Sequence, residues 1–214
     1  MTESRFMEHP ILNRIRQESF TPLGWFEPKG MGDTRFIILI GNAGPSMFRR
    51  FWRDGGGVMD AWTKRVVDPL AEDLGAKALY PFDKPYQPFQ QWARAAGIGH
   101  QSPLGLNIHN TYGLWHAFRA ALLFPVAFDL PRGSAGAHPC ETCVGKPCLH
   151  ACPVSAFDGT SYDVEVCATH LHGENTCMAN GCKARLACPV GRDFIYELPQ
   201  RQFHMKAFKA AHPV

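Results

Sequence analysis

The residues best suited to chemistry in this chain are its eight cysteines, all of which lie in its last third. Thiolates are the ligands that iron–sulfur clusters use, and each [4Fe–4S] cluster takes four of them. Eight cysteines in one segment therefore predict two [4Fe–4S] clusters. In chain order, the candidate ligands are Cys140, Cys143, Cys148, Cys152, Cys167, Cys177, Cys182 and Cys188.

The spacing of the cysteines suggests how the two clusters share them. In bacterial two-cluster ferredoxins, the run C-x2-C-x2-C-x3-C-P gives three ligands to one cluster, and its fourth cysteine crosses to the other. This chain keeps the x3-Cys-Pro ending at Cys152-Pro153 but places four residues between Cys143 and Cys148, and Ala-Cys-Pro-Val recurs at Ala187–Val190. The crossover rule predicts a first set of Cys140, Cys143, Cys148 and Cys188, and a second set of Cys152, Cys167, Cys177 and Cys182.

Zinc ligation and disulfide bonding are the alternative uses of these thiols. Structural zinc sites favour paired Cys-x2-Cys spacings, and only Cys140 and Cys143 offer one. Disulfides need an oxidising compartment, whereas Met1–Pro10 is charged and lacks the apolar segment of a secretory signal. Clusters are therefore the favoured interpretation, and the same features predict a cytoplasmic protein.

Basic side chains lie among the cysteines, at Lys146, Lys183 and Arg185. A cation beside a cluster raises its reduction potential, because it stabilises the added electron. The alternative interpretation is that these three residues belong to the solvated surface.

Composition gives no sign of a membrane or nucleic-acid partner. The formal net charge is +3 and is spread along the chain rather than blocked. The longest apolar run, Ala120–Phe128, is far shorter than the roughly 20 residues of a membrane-spanning helix. We expect no membrane association and no nucleic-acid binding.

Apolar periodicity and turn residues predict a mixed α+β domain over residues 1–131, followed by a small cysteine domain over residues 132–214. The expected helices are Ile11–Phe20, Pro45–Arg53, Val58–Leu74 with a kink at Pro69, Phe89–Ala96 and Arg201–Ala211. The expected strands are Phe36–Ile40, Ala76–Tyr80 and a hairpin of Leu106–His109 with Leu114–Phe124, a helix over Leu114–Leu123 being the alternative for the last segment.

Several stretches resemble known families. Thr21–Trp25, Phe36–Ile40 and Asn107–Trp115 resemble the cobalamin-processing chaperone of the cblC type, which carries Ile-His-Pro-x-x-Gly-x-Trp where this chain has Asn110 in place of the proline. Phe82–Gly99, followed by the cysteines in this order, is similar to epoxyqueuosine reductase. Reductive dehalogenases share the same general plan.

This resemblance implies a nitroreductase-like corrinoid-binding domain followed by a bacterial-ferredoxin-like domain with two [4Fe–4S] clusters. It implies that Asp83 donates a proton beside the corrinoid. Lys84-Pro85 follows Asp83 here, where epoxyqueuosine reductase has Ser-Ala-Pro. The alternative is that Asp83 is a loop carboxylate that caps a turn. The helical repeats that help many epoxyqueuosine reductases with tRNA have no counterpart here. The candidate corrinoid contacts are Gly105, His109, Tyr112, Gly113 and Trp115, for which turns and the core are the alternative roles.

Three functional hypotheses follow. The first is that low-potential electrons pass from a flavodoxin or ferredoxin type donor, through the clusters, to cobalamin, which is reduced or loses its upper ligand. The second is a corrinoid-dependent reductase of a small-molecule substrate. The third is a ferredoxin-like electron carrier without a corrinoid.

Overall fold

The computed structural model describes residues 9–214, and they divide into two compact units. The sheet unit comprises residues 9–98 and His116–Ala135, and the cysteine unit comprises Gly99–Trp115 and Gly136–Val214. The sequence predicted a single boundary after residue 131, whereas Gly99–Trp115 belongs to the cysteine unit. Most of the charged Met1–Pro10 segment, on which the expectation of no export signal rests, lies outside the described residues.

The sheet unit is built on a four-stranded antiparallel sheet. Its elements are α1 (Pro10–Gln17), β1 (Thr21–Phe26), β2 (Phe36–Ala43), α2 (Ser46–Arg53), α3 (Met59–Asp73), β3 (Lys77–Leu79), α4 (Phe89–Ala95) and β6 (His116–Phe124). The strand order is β1-β2-β6-β3. The continuous apolar run predicted at Phe36–Ile40 is confirmed as a strand, and every residue from Phe36 to Asn42 is buried. Such a run suits a central strand that is covered on both faces.

The helices predicted in this unit are confirmed, with ends that differ by at most three residues. Helix α3 continues through Pro69 as one element. Strand β1 was not predicted as a strand, because Pro22 and Gly24 are typical of turns. It lies at the sheet edge, where a proline removes no needed hydrogen bond, and its register shifts between these two residues.

The predicted hairpin of Leu106–His109 with Leu114–Phe124 is wrong, as is the helix alternative over Leu114–Leu123. Strand β6 pairs with β2 and β3, whereas the two-residue strand at Asn107–Ile108 pairs with His100–Gln101. The chain does turn between His109 and Gly113, which form a single antiparallel bridge. The apolar residues of β6 pair within the four-stranded sheet, so the segments before and after this turn do not pair with each other beyond the bridge.

The cysteine unit consists of short helices and loops. Its elements are β4 (His100–Gln101), β5 (Asn107–Ile108), α5 (Pro147–His150), α6 (Val164–His172), α7 (Cys177–Asn180), α8 (Lys183–Leu186), a 3-10 turn (Arg192–Phe194) and α9 (Leu198–Ala211). Helix α9 confirms the predicted terminal helix and packs against α6 and α7, while α5 packs against α8. No helix within residues 9–214 is long and apolar enough to cross a membrane.

Candidate metal centre

All eight cysteines are free, so the disulfide alternative is not observed. They also lie on the short elements of one unit. Helices α5 and α7 carry Cys148 and Cys177, both of which are buried, and Cys188 follows α8 and is buried as well. The other five thiols are partly buried. All eight thiols of this unit are therefore at least partly shielded from water.

The first set of cysteines lies around one largely apolar cavity. Its four side chains, Cys140, Cys143, Cys148 and Cys188, line this cavity together with Leu104, Ile108 and Leu114. The three apolar residues also belong to a hydrophobic cluster that contains Cys148 and Cys188. The apolar wall keeps water from these thiols.

Burial and mutual proximity disfavour bare thiolates in the first set. Burial, followed by the charges of Cys188, Cys148 and Cys143, raises the pKa of Cys140 to about 11. Burial and the neighbouring Cys143 likewise raise the pKa of Cys188. Burial raises the pKa of Cys148 as well, so a positively charged partner, as metal ligation supplies, favours deprotonation of Cys140, Cys148 and Cys188.

The second set shows the same mutual influence. Burial and the thiolates of Cys152 and Cys177 raise the pKa of Cys167, although a hydrogen bond from Tyr162 opposes that rise. Burial and the thiolates of Cys167 and Cys177 raise the pKa of Cys182. The four thiols are therefore neighbours of one another, and none of these effects comes from a cysteine of the first set.

Backbone N–H groups point at the sulfur atoms. The Ala156 N–H donates to Cys152 Sγ at 3.4 Å. Cys182 accepts from the N–H groups of Ala184 and Arg185, and Cys188 accepts from that of Val190. Donors of this kind stabilise a thiolate and tune the potential of a cluster bound to it.

A site for a single metal ion is not formed by the described residues. Within residues 9–214, no three His, Cys, Asp or Glu side chains converge closely enough to hold one ion. A [4Fe–4S] cluster makes a different demand, because its four thiolates bind four separate irons and need not converge on one point.

Gly113 is placed against protein rather than against an open site. Its φ is +57°, and a Cβ added there would lie 2.0 Å from the Val190 carbonyl oxygen. Gly191 meets the backbone of Tyr112 in the same way, with an added Cβ 2.3 Å from the carbonyl carbon. The two segments touch backbone to backbone, and this contact is what the glycines permit.

His109 is committed to its own turn. Its Nδ1 accepts hydrogen bonds from the backbone N–H groups of Thr111 at 3.0 Å and Tyr112 at 3.2 Å. The neutral tautomer that accepts at Nδ1 carries its proton on Nε2. Burial lowers the pKa of His109, which favours this neutral form. Tyr112 stacks on the His109 ring at 4.5 Å and meets Phe194 edge-on.

The remaining predicted corrinoid contacts are Trp115 and Gly105. Trp115 is 1% exposed and packs against Tyr196, with their ring centroids 5.3 Å apart. Gly105 closes a turn by donating to the Ser102 carbonyl at 2.9 Å and lines an open pocket of about 340 Å³ with His138. The Trp115 N–H donates to the Tyr112 carbonyl at 2.9 Å. The five residues predicted from the resemblance all belong to the cysteine unit, and their contact with a corrinoid stays a prediction.

Asp83 is not in the apolar surroundings that the proton-donor hypothesis invoked. Its carboxylate pairs with Lys64 Nζ at 2.8 Å, and 45% of its side chain is exposed. The Lys64 ammonium also lies over the Tyr80 ring, 5.2 Å from the centroid.

The roles of two residues near the thiols, Tyr162 and Arg185, could not be assigned from the sequence. Tyr162 donates its hydroxyl to Cys167, and burial and that bond raise the pKa of Tyr162. Arg185, which the sequence left between a cluster-tuning and a surface role, is partly buried and bonds to the Leu114 carbonyl. Neither position follows from a spacing rule, because each depends on tertiary packing.

Comparison with known proteins identifies solved structures of similar fold. No protein-family model and no curated protein sequence matches the chain. An epoxyqueuosine reductase from Streptococcus thermophilus aligns with 88% of this chain and 67% of its own, at 15% identity and a TM-score of 0.54. The Bacillus subtilis enzyme with its catalytic loop swung out of the active site aligns with 78% of this chain and 51% of its own, at 15% identity and a TM-score of 0.50.

A further epoxyqueuosine reductase was solved with an epoxyqueuosine-modified tRNA stem loop, and it aligns with 78% of this chain and 52% of its own, at 16% identity and a TM-score of 0.49. The chain spans about half of these reductases, or two thirds of the Streptococcus enzyme. This mixed α+β chain has the fold of the epoxyqueuosine reductases.

Proposed function

We propose that this chain is an iron–sulfur oxidoreductase in which two [4Fe–4S] clusters carry electrons to a corrinoid-dependent reduction of a small molecule. The observation that carries the proposal is that eight free cysteines lie in one unit, four of which (Cys140, Cys143, Cys148 and Cys188) line one cavity. The fold shared with epoxyqueuosine reductases supports the reductase part.

The thiolates of each set would hold one cluster, and a bound cluster supplies one-electron transfer at potentials that reach about −700 mV. The chain's own residues provide the setting. Leu104, Ile108 and Leu114 exclude water from the first set. The N–H groups of Ala156 and Val190 stabilise charge on Cys152 and Cys188.

A corrinoid is the proposed electron acceptor on grounds of fold alone. The five residues predicted to touch it stay candidates, and the proposal includes no residue-level step through the corrinoid. Cobalamin processing, which the resemblance to the cblC type suggested, and a plain electron carrier are the competing outcomes of the tests. A flavodoxin or ferredoxin type donor is the proposed partner.

Anaerobic reconstitution followed by cobalamin titration tests the proposal. The loaded protein should contain about eight irons per chain and be brown, as two [4Fe–4S] clusters require. Stoichiometric zinc, or far fewer irons, would remove the cluster premise. A visible spectrum that does not change as cobalamin is added would favour the electron carrier.

A substrate arm separates the two corrinoid hypotheses. The loaded protein is given dithionite, cobalamin and an epoxyqueuosine-modified tRNA stem loop, and the product is assayed by mass spectrometry. Turnover supports a substrate reductase but one that acts on RNA rather than on a small molecule, whereas cobalamin reduction alone supports cobalamin processing. Binding of an unmodified stem loop would contradict the expectation of no nucleic-acid partner.

Asp83→Asn should lower substrate reduction by about 100-fold or more, the usual effect of losing a general acid, while cobalamin reduction stays near the wild-type rate. Because the ion pair with Lys64 is partly exposed, at 41% and 45% of the two side chains, stability should fall by no more than about 1 kcal/mol. Lys64→Met is the matched control, since it breaks the same ion pair and keeps the carboxylate. Equal losses for the two variants, or equal losses of both activities in Asp83→Asn, would remove the proton-donor role.

A further inference from the structure

Arg185 connects the two sets of cysteines through its own peptide groups. It lies on α8, between Cys182 of the second set and Cys188 of the first. Its backbone N–H donates to Cys182 Sγ, and its carbonyl oxygen accepts from the Cys188 N–H at 3.3 Å. A single residue thus contacts a ligand of each set.

The Arg185 side chain is clamped in one position. Its guanidinium carbon lies 4.6 Å from the ring centroid of Trp115 and 4.6 Å from that of Tyr196. Both rings are buried, at 1% and 2% exposure. The Nε group donates to the Leu114 carbonyl at 3.0 Å, and Nη2 donates to the same oxygen. Arginine suits this position because its flat cation stacks on rings while its edge donates hydrogen bonds.

The positive charge of Arg185 is not neutralised by a carboxylate of residues 9–214. Its side-chain contacts within that range are the two rings and the Leu114 carbonyl. A partly buried cation without a counter-charge is costly to maintain. Arg185 lies three residues from Cys182 and three from Cys188 in the chain. Leu114, whose carbonyl accepts from its guanidinium, packs in the cluster that contains Cys148 and Cys188.

We propose that Arg185 is a positioning residue that fixes the α8 connection between the two metal centres and raises the reduction potential of both. The proposal rests on the proposed function to the extent that both cysteine sets hold clusters. Reduction adds one electron to each centre from an external low-potential donor, and no bond is made or broken. A fixed cation stabilises the added negative charge, more so where water is excluded.

Arg185→Gln and Lys183→Gln form the matched test. Both remove one positive charge from the same four-residue helix, but Lys183 is more open to water, which screens its charge. Glutamine at residue 185 keeps an N–H donor for the Leu114 carbonyl. The loaded variants are titrated anaerobically with dithionite and redox mediators, and the reduced centres are followed by electron paramagnetic resonance.

Arg185→Gln should lower both midpoint potentials, making reduction about tenfold less favourable, which is about 59 mV for a one-electron couple. Lys183→Gln should keep the wild-type potentials, and so should Arg185→Lys, which retains the charge. Wild-type potentials in Arg185→Gln, or an equal shift in Lys183→Gln, would overturn the proposal.

Iron content separates failure of this inference from failure of the proposed function. A wild-type chain without about eight irons after reconstitution ends both. If the wild type takes up iron and Arg185→Gln does not, the Arg185→Lys variant decides, because it keeps the positive charge. Midpoint potentials about 59 mV below those of the wild type in this variant would overturn the charge role. Midpoint potentials equal to those of the wild type would uphold it.

Discussion

Replacing Cys188 with serine should remove the same cluster that is lost when Cys140 is replaced. Iron should fall from about eight to about four per chain in each variant, because each [4Fe–4S] cluster carries four irons. The two variants should also leave the same electron paramagnetic resonance signal. The reason is that Cys188 lines one cavity with Cys140 and contributes to the raised pKa of that thiol, although the two are far apart in the chain.

Cys182→Ser is the control for this prediction. Cys182 lies just before Cys188 in sequence and is partly buried, but its pKa is raised by burial and by Cys167 and Cys177 of the second set. The Cys182→Ser variant should therefore lose the second-set cluster and keep the electron paramagnetic resonance signal of the first-set cluster. If the clusters were filled in simple chain order, Cys188→Ser and Cys182→Ser would lose the same cluster, and that result would contradict the crossover. Iron and acid-labile sulfide analysis with spectra of the reduced variants decides between the two.

The predicted grouping of the cysteines follows from a local rule in the sequence. The x3-Cys-Pro ending at Cys152 and the repeat of Ala-Cys-Pro-Val at Cys188 indicate which thiol crosses over, whatever the surrounding fold. The buried strand at Phe36–Ile40 was accessible for a similar reason, since a short continuous apolar run has few other uses.

The candidate corrinoid contacts stay a prediction, because their residue types do not say what they face. A glycine such as Gly113 indicates a positive φ or a close approach, but the approaching group is the Val190 backbone, which lies far away in sequence. An arginine in a cysteine-rich loop is equally ambiguous. Only the packing of Trp115 and Tyr196 on either side shows that Arg185 is held in place.

The division into units escaped the sequence for a related reason. The linker-like composition after Pro131 indicates one place where the chain passes from one unit to the other. The chain also passes between the units at residues 98–99 and 115–116. At those points ordinary apolar residues such as Ile98 and Trp115 continue into the next unit without a break in composition. A domain made of two chain segments can be recognised only when its long-range contacts are known.

Gly113→Ala should destabilise the cysteine unit far more than Gly105→Ala. Both glycines have a positive φ, +57° and +74°, so both variants incur the roughly 1–2 kcal/mol of a left-handed residue with a Cβ. At Gly105 the added methyl meets no atom within 4 Å, whereas at Gly113 it lies 2.0 Å from the Val190 carbonyl oxygen. Backbone must move to relieve that overlap, which should add about 1–3 kcal/mol, the usual cost of overpacking.

The displacement should also reach the metal centre, because the Val190 N–H donates to Cys188 Sγ. Gly113→Ala should therefore lose first-set iron at a lower urea concentration than Gly105→Ala, as followed by the decay of cluster absorbance under anaerobic conditions. Gly191→Ala approaches the same contact from the other side, with an added Cβ 2.3 Å from the Tyr112 carbonyl carbon, and should behave like Gly113→Ala. Equal urea midpoints for Gly113→Ala and Gly105→Ala would mean that the two segments do not meet in solution, and the apolar wall and N–H donor assigned to the first set would then lose their support.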